Sequence, residues 1–317
     1  MAKLENELSW SVSRDHLFQS CKRAYYYQYY GSWGGWEGDA PQRTRTLYIL
    51  KNIKTLAMWA GTIVHETIAH ALNRFAQTGR EITAGELQGR ARMKLRNGWV
   101  EAVGREWEYR PKKTNLHELY YGNGRTLPKE RTERIKQRVY SCLEAFAESA
   151  VLDRILAAPY VNWRPVDTLD SFSMDGLKVW AAIDFAYTDP SGVLRILDWK
   201  TGGEKREALL IQLGCYALYS IDKWGADLGK VRLHGVFLNE EARVSDYEVD
   251  SARLVQTKDV ILTSAAAMRE MLVDRVANVA AEEDFPCCEN DRICRWCNYR
   301  AACPYIVEQA ASSEPAT

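Results

Sequence analysis

Lys178-Val-Trp-Ala-Ala-Ile-Asp-Phe-Ala-Tyr187, Thr188-Asp-Pro-Ser-Gly192 and Val193-Leu-Arg-Ile-Leu-Asp-Trp-Lys200 are two apolar runs around a turn sequence. A Pro/Gly turn between such runs predicts an antiparallel hairpin. Alternate strand residues share a face, so Asp198 and Lys200 point into one space while Trp199 enters the opposite layer. If Tyr187 pairs with Val193, Asp198 faces Ala182 and lies diagonal to Asp184, with backbones roughly 7–8 Å apart. Two carboxylates leaning across that gap can share a divalent cation, because Mg²⁺ takes hard oxygen ligands at about 2.1 Å. Like charges so close need a cation or basic neighbours between them. Lys200 alone supplies one, so Asp-x-Lys by itself also reads as a structural ion pair.

Outward from the hairpin, the chain alternates between helical and extended patterns. Residues 9–30 predict a helix starting near Ser13, and Gly31 to Pro41 a loop. Residues 58–76 repeat apolar side chains at three and four, a helical period. Residues 80–158 read as mostly helical, broken near Pro111 and around Tyr121-Gly-Asn-Gly124. Strands are expected over 161–174, 177–187, 193–200 and 231–239, with helices over 204–224 and 251–281. The order gives a mixed α/β sheet with the hairpin near its centre. Five segments follow: 1–40, an N-terminal helix and aromatic stretch; 41–160, a helix carrying His65 plus a basic helical insertion; 161–250, the core sheet and helix; 251–308, a C-terminal helix and cysteine-rich segment; and 309–317, a small, polar, disordered tail.

The 317 residues suffice for a substantial core, and 46% hydrophobic with 26% charged residues is ordinary for a globular protein. The start has no apolar signal core and no run of eighteen apolar residues occurs, which excludes a spanning helix and leads us to expect a soluble, cytoplasmic protein. Net charge is zero but uneven: residues 41–140 carry 20 basic and 9 acidic side chains, residues 141–317 carry 18 and 28. The basic stretch can face a polyanion such as nucleic acid, although any single basic run also reads as a solvated helix face.

Around the hairpin stand further polar residues. Gln212 and Tyr216, four apart, share one face of the helix after Lys200. His65, in Gly61-Thr-Ile-Val-His65, offers an imidazole suited to Mn²⁺ and similar ions. His70 lies about 140° further round the helix and falls outside that site. Eight cysteines in such a chain argue for metal or redox use over a disulfide framework. Cys142 and Cys215 fall inside helical patterns as small core residues. Cys294-x2-Cys297-x5-Cys303 supplies three thiolates, and Cys21 is a candidate fourth; four thiolates suit an iron–sulfur cluster or zinc alike. Tyr25-Tyr-Tyr-Gln-Tyr-Tyr30 could stack bases at about 1–3 kcal/mol each, but aromatics pointing all round a helix must mostly pack inward.

Gly-x3-His, Ile-Asp, Asp-x-Lys-Thr and Gln-x3-Tyr, in that order over about residues 58–240, resemble the RecB-like exonuclease branch of the PD-(D/E)XK nuclease superfamily. The cysteine pattern is similar to the iron–sulfur clasp of its CRISPR-associated members and of the AddB nuclease domain. The resemblance implies a restriction-endonuclease-like mixed central sheet flanked by helices, with a helical insertion and a cysteine-clasped iron–sulfur region. It implies that His65, Asp184 and Asp198 bind Mn²⁺ or Mg²⁺, that Lys200 orients the attacking water, and that Gln212 and Tyr216 hold Lys200 and the DNA. It also implies a structural 4Fe-4S cluster on Cys21, Cys294, Cys297 and Cys303; Cys287 and Cys288 could substitute as ligands, but the family spacing places them outside it. The second acid is Asp where many members have Glu, and Ala182 stands where many have glycine. The activity expected is metal-dependent hydrolysis of DNA phosphodiesters, exonucleolytic on single-stranded ends, with possible protein partners in a DNA-processing complex and no membrane. The alternative is a DNA-binding or assembly subunit of such a complex, without cleavage of its own.

Overall fold

The computed structural model describes residues 4–122 and 126–313, with side chains through residue 308. Two compact units emerge, each assembled from separated segments: Ala57–Asn97 with Leu127–Ile261, and Met1–Leu56 with Gly98–Thr126 and Leu262–Thr317. The basic stretch expected as one helical insertion is thus divided, residues 98–126 belonging with the chain termini. Residues 123–125 of its second expected break lie outside the described residues. Among the described residues, no helix is long and apolar enough to cross a membrane.

The first unit is mixed α/β. Strands β1 (Thr168–Met174) and β2 (Leu177–Ile183) form an antiparallel hairpin. Asp175 and Gly176 close it in two residues, both left-handed at φ +49° and +76°, the conformation of a type I′ turn that matches strand twist. A four-stranded sheet follows in the order β3 (Phe185–Thr188), β4 (Leu194–Lys200), β5 (Val231–Phe237) and β6 (Arg243–Tyr247). The β3/β4 and β5/β6 pairs are antiparallel and β4/β5 is parallel. The parallel pair needs a crossover, supplied by the Arg206–Trp224 helix. Gly225 stops that helix at φ +62°, its N–H returning to the Ser220 carbonyl. One turn of this helix lies hard against the Ser251–Glu270 helix: a Cβ on Gly214 would stand 2.4 Å from Thr257 Oγ1, so only glycine fits.

Several expected boundaries move, each for a local reason. The run 177–187 is two strands, because the chain bends at Asp184 and passes from one sheet to the next. The hairpin register slides by two: Tyr187 pairs with Arg195, not Val193. The cause is Asp189, whose carboxylate accepts from Ser191 N (2.9 Å), Ser191 Oγ (2.6 Å) and Val193 N (3.1 Å) and pairs with Arg195 Nε at 2.8 Å. That carboxylate draws Val193 into the turn. A slip of two preserves which face each residue occupies, and it sets Asp198 opposite Asp184 instead of diagonal to it. The continuous strand expected from 161 begins at Thr168, after a 3₁₀ turn at Tyr160–Asn162 and an isolated bridge from Trp163 to Tyr187. The long C-terminal helix ends at Glu270, and β6 had no clear sequence signal because three of its five residues are charged or polar.

The second unit is built on Val12–Ser20, capped by Ser11 Oγ accepting from Arg14 N at 3.1 Å, so the cap lies two residues before Ser13. Cys21 interrupts it in extended conformation and its Sγ accepts from Ala24 N at 3.4 Å, starting the Lys22–Tyr26 helix. Tyr25 and Tyr27 are fully buried, and Phe285 stacks on Tyr25 with ring centroids 6.1 Å apart. Those aromatics serve packing. Residues 309–313, expected as the start of a disordered tail, continue the Pro304–Ser313 helix, since Gln309, Ala310 and Ala311 favour the helix that Pro304 opens. Residues 314–317 lie outside the described residues.

Candidate active site

In the first unit, four segments bring six polar side chains together. The Leu56–Thr78 helix carries His65, with Ile63, Val64 and Ile68 buried beside it and His70 in solvent. The bend between β2 and β3 carries Asp184, β4 carries Asp198 and Lys200, and the crossover helix carries Gln212 and Tyr216. Trp199 points the other way, fully buried with its ring edge-on to Phe146 at 5.4 Å. It anchors the strand whose opposite face is chemical.

Hydrogen bonds link the six. Asp184 Oδ1 meets His65 Nδ1 at 2.9 Å and Oδ2 accepts from Trp199 N at 2.7 Å. Gln212 Nε2 donates to Asp198 Oδ1 at 2.9 Å, and Gln212 Oε1 accepts from Lys200 Nζ at 2.9 Å. Tyr216 OH accepts from Gln212 Nε2 at 2.7 Å and donates to the Ala182 carbonyl. The amide of Gln212 therefore fixes the lysine with one end and the carboxylate with the other. Lys200 Nζ also stands 2.5 Å from Asp198 Oδ2. This short charged contact partners the buried Oδ2.

Electrostatics follow from that crowding. Burial, then the Asp184 charge, lift the Asp198 carboxyl from its ordinary 3.8 to about 6, against the pull of Lys200 and His65. Burial would lower His65, but the Asp184 charge and hydrogen bond outweigh it and raise the imidazole to about 9. Burial and the Asp198 charge push the Tyr216 phenol well above its usual range, so it stays a donor. Oxygens of two buried carboxylates beside an imidazole suit a hard divalent cation. Among the described residues no three His, Cys, Asp or Glu side chains stand arranged as a finished ligand shell. Here Lys200 and His65 occupy positions on the carboxylates that a cation would contest.

Both raised groups bind protons more tightly in the folded than the unfolded chain, so their contribution to stability is present at low pH and lost as pH rises. For Asp198 the window runs from 3.8 to about 6, and for His65 from 6.5 to about 9. A cation competes with those protons for the same atoms. The rise in Tm on adding Mn²⁺ should therefore be larger at pH 8 than at pH 5 and vanish in Asp198→Asn; a pH-independent rise measured by thermal shift would contradict this.

In the second unit the structure gathers the expected cysteines and adds two. Cys297 lies within charge interaction of Cys21, Cys294 and Cys303, and burial drives its thiol up to about 12. Cys287 Sγ is 3.7 Å from Cys303 Sγ and Cys288 Sγ is 3.7 Å from Cys294 Sγ, with Cys21 also against Cys288. Cys287 and Cys288, left outside the four-thiol set by the resemblance, stand beside Cys303 and Cys294 of that set. Burial holds the Cys21, Cys287, Cys288 and Cys297 thiols up, so they stay protonated in the metal-free protein. Cys142 and Cys215 are buried in helices, pushed by burial to about 11 and 12, and pack as core residues.

One acid escaped the sequence reading. Asp167 N donates to the Asp184 carbonyl at 3.0 Å, which sets this residue beside the site. Its only sequence signal was position, two residues after Pro165.

No curated protein matches this chain. A solved structure described as "Crystal structure of SSO0001" is 18% identical over 55% of this chain and 77% of that one, with a TM-score of 0.26, too loose a likeness to support an argument. The family comparison is of another order: the model for the PD-(D/E)XK nuclease superfamily matches residues 9–304, and across the sheet, crossover helix and acidic hairpin just described, this chain belongs to that superfamily.

Proposed function

We propose that this protein is a divalent-metal-dependent deoxyribonuclease of the RecB-like branch, using Mn²⁺ or Mg²⁺ to hydrolyse DNA exonucleolytically from single-stranded ends. The observation that carries the reading is the Lys200–Gln212–Asp198 arrangement facing Asp184 and His65. His65, Asp184 and Asp198 would hold the metal, which supplies Lewis acidity and a water of lowered pKa. Lys200, held by Gln212 and Asp198, places a fixed positive charge and three donors where a water must be aligned and where charge develops on the phosphoryl oxygens. Tyr216 braces Gln212, so the lysine does not have to be ordered during the reaction. Phosphodiester hydrolysis asks for these roles.

In the second unit, Cys21, Cys294, Cys297 and Cys303 would hold a 4Fe-4S cluster whose role is structural, tying residue 21 to residues 294–303. The basic stretch would guide the strand. End-labelled linear and circular DNA, single- and double-stranded, incubated with Mn²⁺ and with Mg²⁺, tests the reading: linear single strands should be shortened progressively and circles spared. Cleavage of circles would replace the exonuclease with an endonuclease. Salt-sensitive DNA binding without any cleavage would favour an assembly subunit.

A further inference from the structure

Asn115, in the second unit, is a buried polar residue for which packing gives no reason. It is 2% exposed, and its Nδ2 makes no hydrogen bond. A buried amide N–H left unpaired is costly, yet the backbone holds this one in place. Ile53–Lys54 and Asn115–Leu116 pair as a short parallel ladder, with Ile53 opposite Asn115. Just before it, Thr114 N and Oγ1 donate to Glu101 Oε2 at 3.0 and 2.8 Å, and Lys113 Nζ meets Glu101 Oε1 at 2.6 Å.

Asn115 lines a cavity of about 340 Å³, within the size range of small-molecule sites. Trp107, Tyr120 and Leu119 line it as well, the two rings standing 5.3 Å apart between centroids. Val103, 55% exposed, brings it to the surface. Arg105 adds a second buried nitrogen without a hydrogen bond, its Nε. The guanidinium lies 5.4 Å from the Trp107 ring centroid and pairs with Glu108. Two unpaired N–H donors ask for acceptors. Because Glu108 already matches the Arg105 charge, the cavity has no preference for an anion such as phosphate. Aromatic and aliphatic walls ask for a flat, apolar body. A nucleobase meets all of these conditions, since every base has a π-face and acceptor atoms on its edges.

We propose that this cavity is a subsite for one unstacked nucleobase of a single strand, held against the aromatic wall and read by Asn115 and Arg105 through its acceptors. The choice of a nucleic acid as ligand rests on the DNA-directed reading above, to which the cavity adds a place where base identity matters. Guanine is the base that fits, because its N7 and O6 are neighbouring acceptors with no donor between them.

Binding of deoxyguanylate to the full chain, measured by isothermal titration calorimetry in EDTA so that no divalent ion contributes, is the test, with deoxyadenylate and the base-free sugar phosphate as comparisons. Saturable binding of deoxyguanylate is expected, about fivefold or more tighter than deoxyadenylate, the lower end of what a bidentate base contact discriminates. The sugar phosphate should not bind measurably. Asn115→Leu, close in shape and without a donor, should weaken deoxyguanylate binding about 3- to 10-fold, the scale of one hydrogen bond. Its Tm should stay the same or rise, because the unpaired N–H is gone. Tyr120→Leu should weaken binding about 5- to 150-fold, the range for one base–aromatic stack. Wild-type protein without saturable deoxyguanylate binding has a cavity for ordered water only, which overturns the proposal. Equal affinity for deoxyadenylate or the sugar phosphate, or unchanged deoxyguanylate affinity in either variant, overturns it as well. Cleavage assays on the same wild-type preparation keep the two readings apart. Metal-dependent cleavage without deoxyguanylate binding removes the subsite and leaves the nuclease reading, whereas binding that both variants weaken, without cleavage in Mn²⁺ or Mg²⁺, supports the subsite and overturns the nuclease reading.

Discussion

Lys200→Ala is expected to lower metal-dependent DNA cleavage by about 10²–10³-fold, the scale for removing one preorganised group that stabilises developing charge. The same substitution separates a catalytic lysine from a structural one. Lys200 is the cation beside Asp198 Oδ2 at 2.5 Å, and Gln212 Oε1 loses its donor when it goes. Below about pH 6 the Asp198 carboxyl can take a proton instead, so the metal-free variant should be close to wild type in stability there and weaker above. Cleavage, in contrast, should stay low at every pH. Measured by end-labelled single strands and thermal melts on the same preparations, activity that tracks stability across pH would make Lys200 a structural residue. Lys200→Arg is not a rescue, because a planar guanidinium cannot take the place of a compact ammonium against both Gln212 and Asp198.

The second large effect is expected in the thiol nest. On the proposed iron–sulfur reading, Cys297→Ser should abolish iron binding and the brown colour and destabilise the terminal unit by several kcal/mol, as ligand-coupled folding predicts. Residue 21 is joined to residues 294–303 through a very long loop, the situation in which a cross-link restrains an unfolded chain most. Limited proteolysis should then cut within residues 4–56 and 286–303 before it reaches the Asp184–Lys200 hairpin. Cys288→Ser should keep its iron if the four-thiol set is right. Loss of iron from Cys288→Ser as complete as from Cys297→Ser would redraw the ligand set, and stoichiometric zinc with no iron would replace the cluster by zinc.

The parts of this molecule that were legible in the sequence are those governed by periodicity. Parity along β4 placed Asp198 and Lys200 on one face and Trp199 on the other, and a separation of four placed Gln212 with Tyr216 on the helix. Such rules survive small errors, as the two-residue slip at the hairpin shows. The slip itself was illegible because it depends on a side chain, Asp189, gathering three donors of the turn and Arg195, which turn composition does not reveal. Asp167 was illegible for a related reason. Its place beside Asp184 arises from the edge of β3, a pairing between an irregular segment and a strand, and nothing periodic announces it. Cys287 and Cys288 were excluded on spacing, yet short loops fold back, and both sulfur atoms came to rest against expected ligands. The division of the basic stretch between two units is likewise a matter of long-range contacts.

Asp184 deserves a last consideration as a corner. Its backbone is where the chain turns out of the β1–β2 hairpin and into the four-stranded sheet, its carbonyl is tied to Asp167, and its two carboxylate oxygens reach His65 and Trp199 N. The hairpin on one side of this corner ends in a two-residue Asp-Gly turn and can lengthen or shorten in steps of two without shifting the register beyond Asp184. The hairpin on that side is thereby free to change length, while Asp198 and Lys200 on the other side keep their register.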